Sequence, residues 1–182
     1  MQPKMGDLIK KIRHENGVVE IYSDNSAPNP RDAVYQNVGR MVFLHKNLKL
    51  GDEHFFKTPD EFADFCDEHP GILLLPIYIS PNNGIELSVS KTEESGHLGY
   101  MYATPEMIAT IPNIDSCPME DRNELVLDEF ASELEAYNEY LLGNSYGYIA
   151  KDNKGNFISE GWGYIGDDFD TNGLYYDAGI PD

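Results

Sequence analysis

Three observations predict an α+β fold with an antiparallel sheet built from hairpins. Ile72 to Ser80 and Ile85 to Ser90 flank Pro81-Asn82-Asn83-Gly84. Tyr146 to Lys151 and Asn156 to Ile165 flank Asp152-Asn153-Lys154-Gly155. A long helical pattern, 121 to 142, lies between the two pairs. With no internal repeat and no linker able to divide it, the 182-residue chain is expected to form a single domain over 1–182. It should hold one long acidic helix, two or three short helices and an irregular acidic segment at 166–182.

From the N-terminus, Met5 to His14 reads as a short helix, and Asn16-Gly17 turns the chain into a strand over Val18 to Tyr22. Ser23 to Asp32, with Pro28 and Pro30, reads as a loop. Gly39 to His45 is apolar over too few residues for periodicity to separate a strand from a buried helix. Thr58-Pro59-Asp60-Glu61 carries an N-cap, a proline at the first helical position and acids in the first turn, which predicts a helix to Glu68 stopped by Pro70-Gly71.

In the first hairpin, Ile85, Leu87 and Val89 alternate with Glu86, Ser88 and Ser90, the pattern of a strand with one buried face. Leu98 to Ala103 should add a third strand, and Thr104-Pro105-Glu106 should cap a further short helix. In the long helix Leu127, Phe130, Leu134, Tyr137 and Leu141 recur at intervals of 3, 4, 3 and 4, a single core stripe ended by Gly143-Asn144. In the last strand Trp162 and Tyr164 are expected on one side, by simple alternation.

The chain has 32 acids against 13 bases, a net charge of −19, while hydrophobic residues make up 41% and aromatic residues 12% of it. That apolar content separates it from a disordered acidic tail. Residues 111 to 182 hold 16 acids and only Arg122, Lys151 and Lys154 as bases. Such a charge opposes binding to naked nucleic acid, where phosphates call for Lys and Arg, and steers association with cationic partners. Met1 to Gly17 is too polar for a secretory signal, Ile72 to Ile79 too short to span a bilayer, and Cys66 and Cys117 lie far apart without metal-ligand spacing; together these point to reduced thiols in a cytoplasm.

The long helix places the surplus charge. Glu124, Asp128, Glu135 and Glu139 stand at offsets of 0, 4, 11 and 15, one face with carboxylates about 6 Å apart along the axis at each i,i+4 step. Like charges at that spacing destabilise a helix by a few tenths of a kcal/mol per pair unless bases intersperse them, and here only Arg122 does. The four residues are candidate partner contacts, with Asp167, Asp168 and Asp170 of the tail as a second cluster. Tyr137, Tyr140, Tyr146, Tyr148, Trp162, Tyr164, Tyr175 and Tyr176 crowd the same part of the chain, and interfaces use such aromatics as anchors; Tyr175 and Tyr176 are the tail's candidates.

Catalytic and metal signals are sparse. Asp168-Phe169-Asp170-Thr171-Asn172-Gly173 matches the first half of a calcium loop, with Asp168, Asp170 and Asn172 as oxygen donors. Gly179 stands where that loop needs a bidentate Glu, so a plain Asp/Gly turn is the alternative, with Asp177 or Asp182 as further donors in a different geometry. His14, His45, His54, His69 and His97 form no zinc motif, and His69 suits the carbonyl end of its helix. Cys66 is a nucleophile only if a cleft sets a base beside it. Nucleophile-elbow, Walker and dinucleotide-loop motifs are absent, and Gly161 to Gly166 has no base to hold a phosphate.

Several segments together resemble a family of small phage- and plasmid-borne proteins that includes type II anti-CRISPR inhibitors of Cas9. They are Asn29-Pro30-Arg31-Asp32, Asn37 to His45, Leu50-Gly51-Asp52-Glu53, Leu75 to Tyr78 with Gly84-Ile85, Gly96 to Tyr100, Glu133 to Tyr148 and Gly161 to Tyr164. The chain departs from the family at Pro81-Asn82-Asn83-Gly84, where Asp-His-Ser-Gly is expected, and at Glu94, where Asp is; the first departure removes polar groups from any shared site and argues against a catalytic role for that hairpin. The resemblance implies a non-enzymatic protein in the cytoplasm of a bacterial host that needs no cofactor, binds Cas9 with its guide RNA and blocks target-DNA binding or cleavage. A DNA mimic aimed at restriction enzymes or other host DNA-binding proteins shares the electrostatics. A metal-dependent enzyme built on His45, Cys66 or the Asp168 loop is the third expectation.

Overall fold

In a computed structural model the described residues are 5–32, 37–45, 48–80 and 85–180. They form an α+β structure with two antiparallel sheets of four strands each. The chain divides into two compact units: a terminal unit, Met1–Asn29 with Glu139–Asp182, and an inserted unit, Pro30–Asn138. No helix among the described residues is long and apolar enough to cross a membrane.

In the terminal unit, the segment expected as a helix is strand β1 (Met5–His14), paired antiparallel with β2 (Gly17–Asp24). Leu8, Ile9 and Ile12 have helix-like spacing, but the two-residue link after His14 sets Arg13 opposite Val18 and Ile12 opposite Val19, and strand pairing overrides that local pattern. Two register shifts leave Leu8 and Ile9 both exposed, while Ile12 packs on the core. Gly17 is required by crowding, since a Cβ there would lie 2.0 Å from the Lys151 carbonyl oxygen.

Strands β7 (Ser145–Asp152) and β8 (Phe157–Ile165) complete this sheet as the predicted hairpin. Val19, Ile21, Tyr148, Ala150, Leu174 and Ala178 form the core beneath it. A bulge overturns the expected alternation of Trp162 and Tyr164. Tyr146 pairs with Tyr164, yet the next residue, Gly147, pairs with Trp162, and the ring of Trp162 occupies the space of a Gly147 side chain. Gly163 takes φ +86°, and its N–H donates to the buried Asp24 carboxylate at 3.1 Å, so the two aromatics face opposite sides. The tail is not wholly irregular either: a turn at 168–172 leads into the short helix Leu174–Asp177, which buries Leu174 completely.

In the inserted unit, β3 (Arg40–Phe43) resolves the ambiguous segment as a strand. It pairs with β6 (Gly96–Ala103), which pairs with β4 (Leu73–Ser80), and β5 (Glu86–Ser88) forms the edge. The connecting turn 81–84 lies outside the described residues. Of the face expected to be buried in β5 only Leu87 is covered, because Ile85 and Val89 lie beyond the paired residues and stand exposed. Helix α1 (Pro59–Glu68) is capped by Thr58, whose hydroxyl accepts from the Glu61 N–H. It packs Phe62 against Val42, Phe56 and Tyr102, and His69 at its end meets the Phe65 carbonyl at 2.7 Å. Thr104 caps α2 (Pro105–Ile108) as expected.

Helix α3 (Arg122–Leu142) begins within one residue of its expected start. Its fully covered positions are Val126, Phe130, Leu134 and Tyr137, so Val126 takes the place assigned to Leu127, which with Leu141 is only half-buried. Asn138 brackets the edge strand: its amide accepts from the Leu87 N–H at 2.8 Å and donates to the Leu87 carbonyl at 2.6 Å. A helix side chain thereby satisfies backbone groups that an edge strand leaves open. Gly143, at φ +81°, ends the helix as predicted.

Candidate interaction surface

Within the inserted unit, Glu124, Asp128 and Glu135 of α3 are exposed, and none of them forms a salt bridge among the described residues. The helix's one base, Arg122, is engaged elsewhere: it donates to the Cys117 carbonyl at 3.2 Å and pairs with Asp115 at 3.5 Å. Glu124 and Asp128, with Asp121 and Glu129, surround a shallow recess of about 350 Å³ floored by Leu125 and Cys117. Carboxylates held on a rigid helix and left without cations keep their capacity for bidentate pairing with guanidinium groups.

The remaining candidates belong to the terminal unit. Glu139 is half-buried and accepts from the Asn144 side chain at 2.8 Å, so its charge serves the helix end as well as the surface. Asp167, Asp168 and Asp170 are exposed. Asp168 Oδ1 accepts from the N–H groups of Asp170 at 3.1 Å and Thr171 at 3.3 Å, and Asn172 bridges Gly166 and Leu174. The half calcium loop thus folds as an Asx turn leading into α4, the helix Leu174–Asp177. Among the described residues no group of three or more His, Cys, Asp or Glu is placed to hold a metal ion. Tyr176 is 87% exposed, whereas Tyr175 is built into the fold: its hydroxyl meets Lys10 Nζ at 2.6 Å and its ring packs on Phe169.

A second candidate region was only partly visible in the sequence. Helix α1 and the β6 strand enclose a half-open cavity of about 640 Å³ that gathers Cys66, His45 and His97, three residues far apart in the chain. Burial, aided by the charge of Asp67, pushes the Cys66 thiol above its ordinary range. A thiol so placed is held protonated and is a poor nucleophile.

Glu133 has a different role from the other acids of α3. It turns inward to Arg31, whose side chain is 1% exposed. Arg31 grips Asp52 with two bonds of 2.9 and 2.7 Å, reaches Glu133 at 2.6 Å and donates to the Gly39 carbonyl at 2.7 Å. Asp52 also accepts from the Met41 N–H, and Glu133 from the Val38 N–H. Burial raises the Glu133 pKa against the opposing pull of Arg31 and of the Val38 N–H. Four of the segments that carry the family resemblance, around Arg31, Gly39, Asp52 and Glu133, therefore converge on one buried guanidinium. No protein-family model, characterised protein or solved structure matches this chain.

Proposed function

We propose that this protein is an anti-CRISPR inhibitor that binds Cas9 in its guide-RNA complex and blocks target-DNA binding or cleavage. The observation that carries the reading is the exposed carboxylate face of α3, in which Glu124, Asp128 and Glu135 have no cationic partner among the described residues. Cas9 reads its PAM with arginines and holds the heteroduplex in a positively charged channel. Carboxylates spaced along a helix engage such arginines, steer the encounter electrostatically and occupy groups that DNA would otherwise contact. Asp167, Asp168, Asp170 and Tyr176 of the terminal unit are a second candidate contact, independent of the first.

The deciding experiment is size-exclusion chromatography with Cas9, with and without guide RNA, followed by target DNA. Co-elution with the loaded effector and exclusion of DNA is the expected result, and failure to form any complex overturns the reading. Replacing Glu124, Asp128 and Glu135 with Lys should abolish co-elution while leaving circular dichroism unchanged. Adding Glu139→Lys extends the set, at some cost to the helix end that Asn144 holds. If the protein ignores Cas9 but captures a restriction enzyme or another DNA-binding host protein through the same face, the DNA-mimic reading replaces this one.

A further inference from the structure

The cavity beside α1 lies apart from the acidic face of α3, and its lining has a definite chemical character. Its volume of about 640 Å³ falls in the range of sites that take small organic molecules. One wall is α1, where Asp60, Ala63 and Asp67 follow at i, i+3 and i+7, setting the two carboxylates about 10 Å apart along one face. Phe62 of the same helix and, from β6, Tyr100 and His97 supply the aromatic part of the lining. Phe62 and Tyr100 stack with centroids 5.5 Å apart and planes 27° from parallel, and His97 meets Tyr100 edge-on at 4.7 Å. Asp60 and Asp67 are exposed at the rim, and no Lys or Arg stands among the described lining residues.

We propose that this cavity binds a small organic cation, an ammonium group carried on an aromatic or branched apolar body. Aromatic faces attract a cation through their quadrupole, and the gain rises when the site is partly desolvated. The rim carboxylates add charge attraction, and the net charge of −19 raises the local concentration of cations further. A neutral ligand of the same shape forgoes both terms, and an anion is repelled. Leu74 and Leu98 complete an apolar floor for the body of the ligand.

Cys66 lies in the cavity wall and Cys117 outside it, which supplies a reporter and an internal control in one chain. The test uses benzyltrimethylammonium, its neutral isostere neopentylbenzene and the anion benzoate, with N-ethylmaleimide labelling of each cysteine followed by mass spectrometry. Benzyltrimethylammonium should slow labelling of Cys66 in a saturable way and leave Cys117 unchanged, and the methyl resonances of Leu74 and Leu98 should shift along the same titration. The isostere, and benzyltrimethylammonium on the Asp60→Asn/Asp67→Asn variant, should require about tenfold more ligand. Equal slowing at both cysteines, equal protection by the isostere, protection by benzoate, or no methyl shift in the unaltered protein would each overturn the proposal. The methyl titration needs no substitution, so the answer does not depend on the variant folding.

Discussion

Each unit holds a clasped carboxylate, and the two clasps are built with opposite charge ratios. In the terminal unit, Glu20 on the sheet receives Lys11 at 2.5 Å, Lys151 at 2.6 Å and the Tyr22 hydroxyl at 3.0 Å: two cations serve one anion. In the inserted unit Arg31, itself 1% exposed, is among the described residues the one cation for both Asp52 and Glu133. The Lys11 and Lys151 hydrogen bonds pull the Glu20 pKa down to about 2, whereas burial lifts that of Glu133 in spite of Arg31. A short ion pair is therefore no guide to the sign of its effect. What decides is how many cations each carboxylate has to itself and how far those cations are withdrawn from water, 1% exposure for Arg31 against 44% and 36% for Lys11 and Lys151.

The most damaging way to break this comparison is Arg31→Met. It leaves two carboxylates facing each other without a cation in a site closed to water, and removal of one partner from a buried ionic group costs about 3–5 kcal/mol. Urea unfolding should show a loss of that size. Native-state hydrogen exchange should show the Met41 amide, which donates to Asp52 at 3.0 Å, losing protection first. A loss below about 1 kcal/mol, the level of an exposed pair, would mean that water reaches the site and that the two clasps are alike.

Glu20→Gln comes next, and its effect depends on pH. The folded pKa lies below the unfolded one, so the ionised group contributes stability above pH 4.5, and that contribution fades as pH falls toward about 2. Because both lysines are substantially exposed, screening reduces the expected loss at neutral pH to roughly 1–3 kcal/mol. Urea midpoints followed through Trp162 fluorescence, in the same unit, should separate the variant from the wild type at pH 7. The gap should close in strong acid. A gap that stays constant with pH would assign the effect to lost packing instead of lost charge.

Much of the framework of both units was legible because its signals are local. Thr58 and Thr104 stand before prolines, Gly143 ends a helix, and the turn at 153–155 separates two strand-like runs. The pairing of β1, the bulge at Gly163 and the division into two sheets were not, because each is decided by partners distant in the chain. Glu133 was partly legible. It follows Glu124 by nine positions, about two and a half helical turns, which points it away from the stripe of Glu124, Asp128 and Glu135 and toward the core. What no helical spacing could supply was its cation, since Arg31 lies 102 residues away. The cavity beside α1 was hidden for the same reason: Asp60 and Asp67 look like ordinary helix acids until β6 brings Tyr100 and His97 across from them.

The gentlest test, Glu133→Gln, sharpens the contrast most. At neutral pH the amide keeps one acceptor but turns a donor toward either Arg31 or the Val38 N–H, a cost of about 1 kcal/mol, the worth of one hydrogen bond. The pH dependence should then run opposite to that of Glu20. A carboxyl whose folded pKa is raised contributes most stability below its unfolded value and loses it as pH rises through the folded one. Acidification should therefore widen the gap between wild type and Glu133→Gln, while it narrows the gap for Glu20→Gln, with protection of the Val38 and Gly39 amides as the local readout. If the Glu133 gap narrows instead, Arg31 outweighs burial at that carboxylate. The single guanidinium would then satisfy two anions as fully as two lysines satisfy one, and the charge-ratio account of the two units would fail.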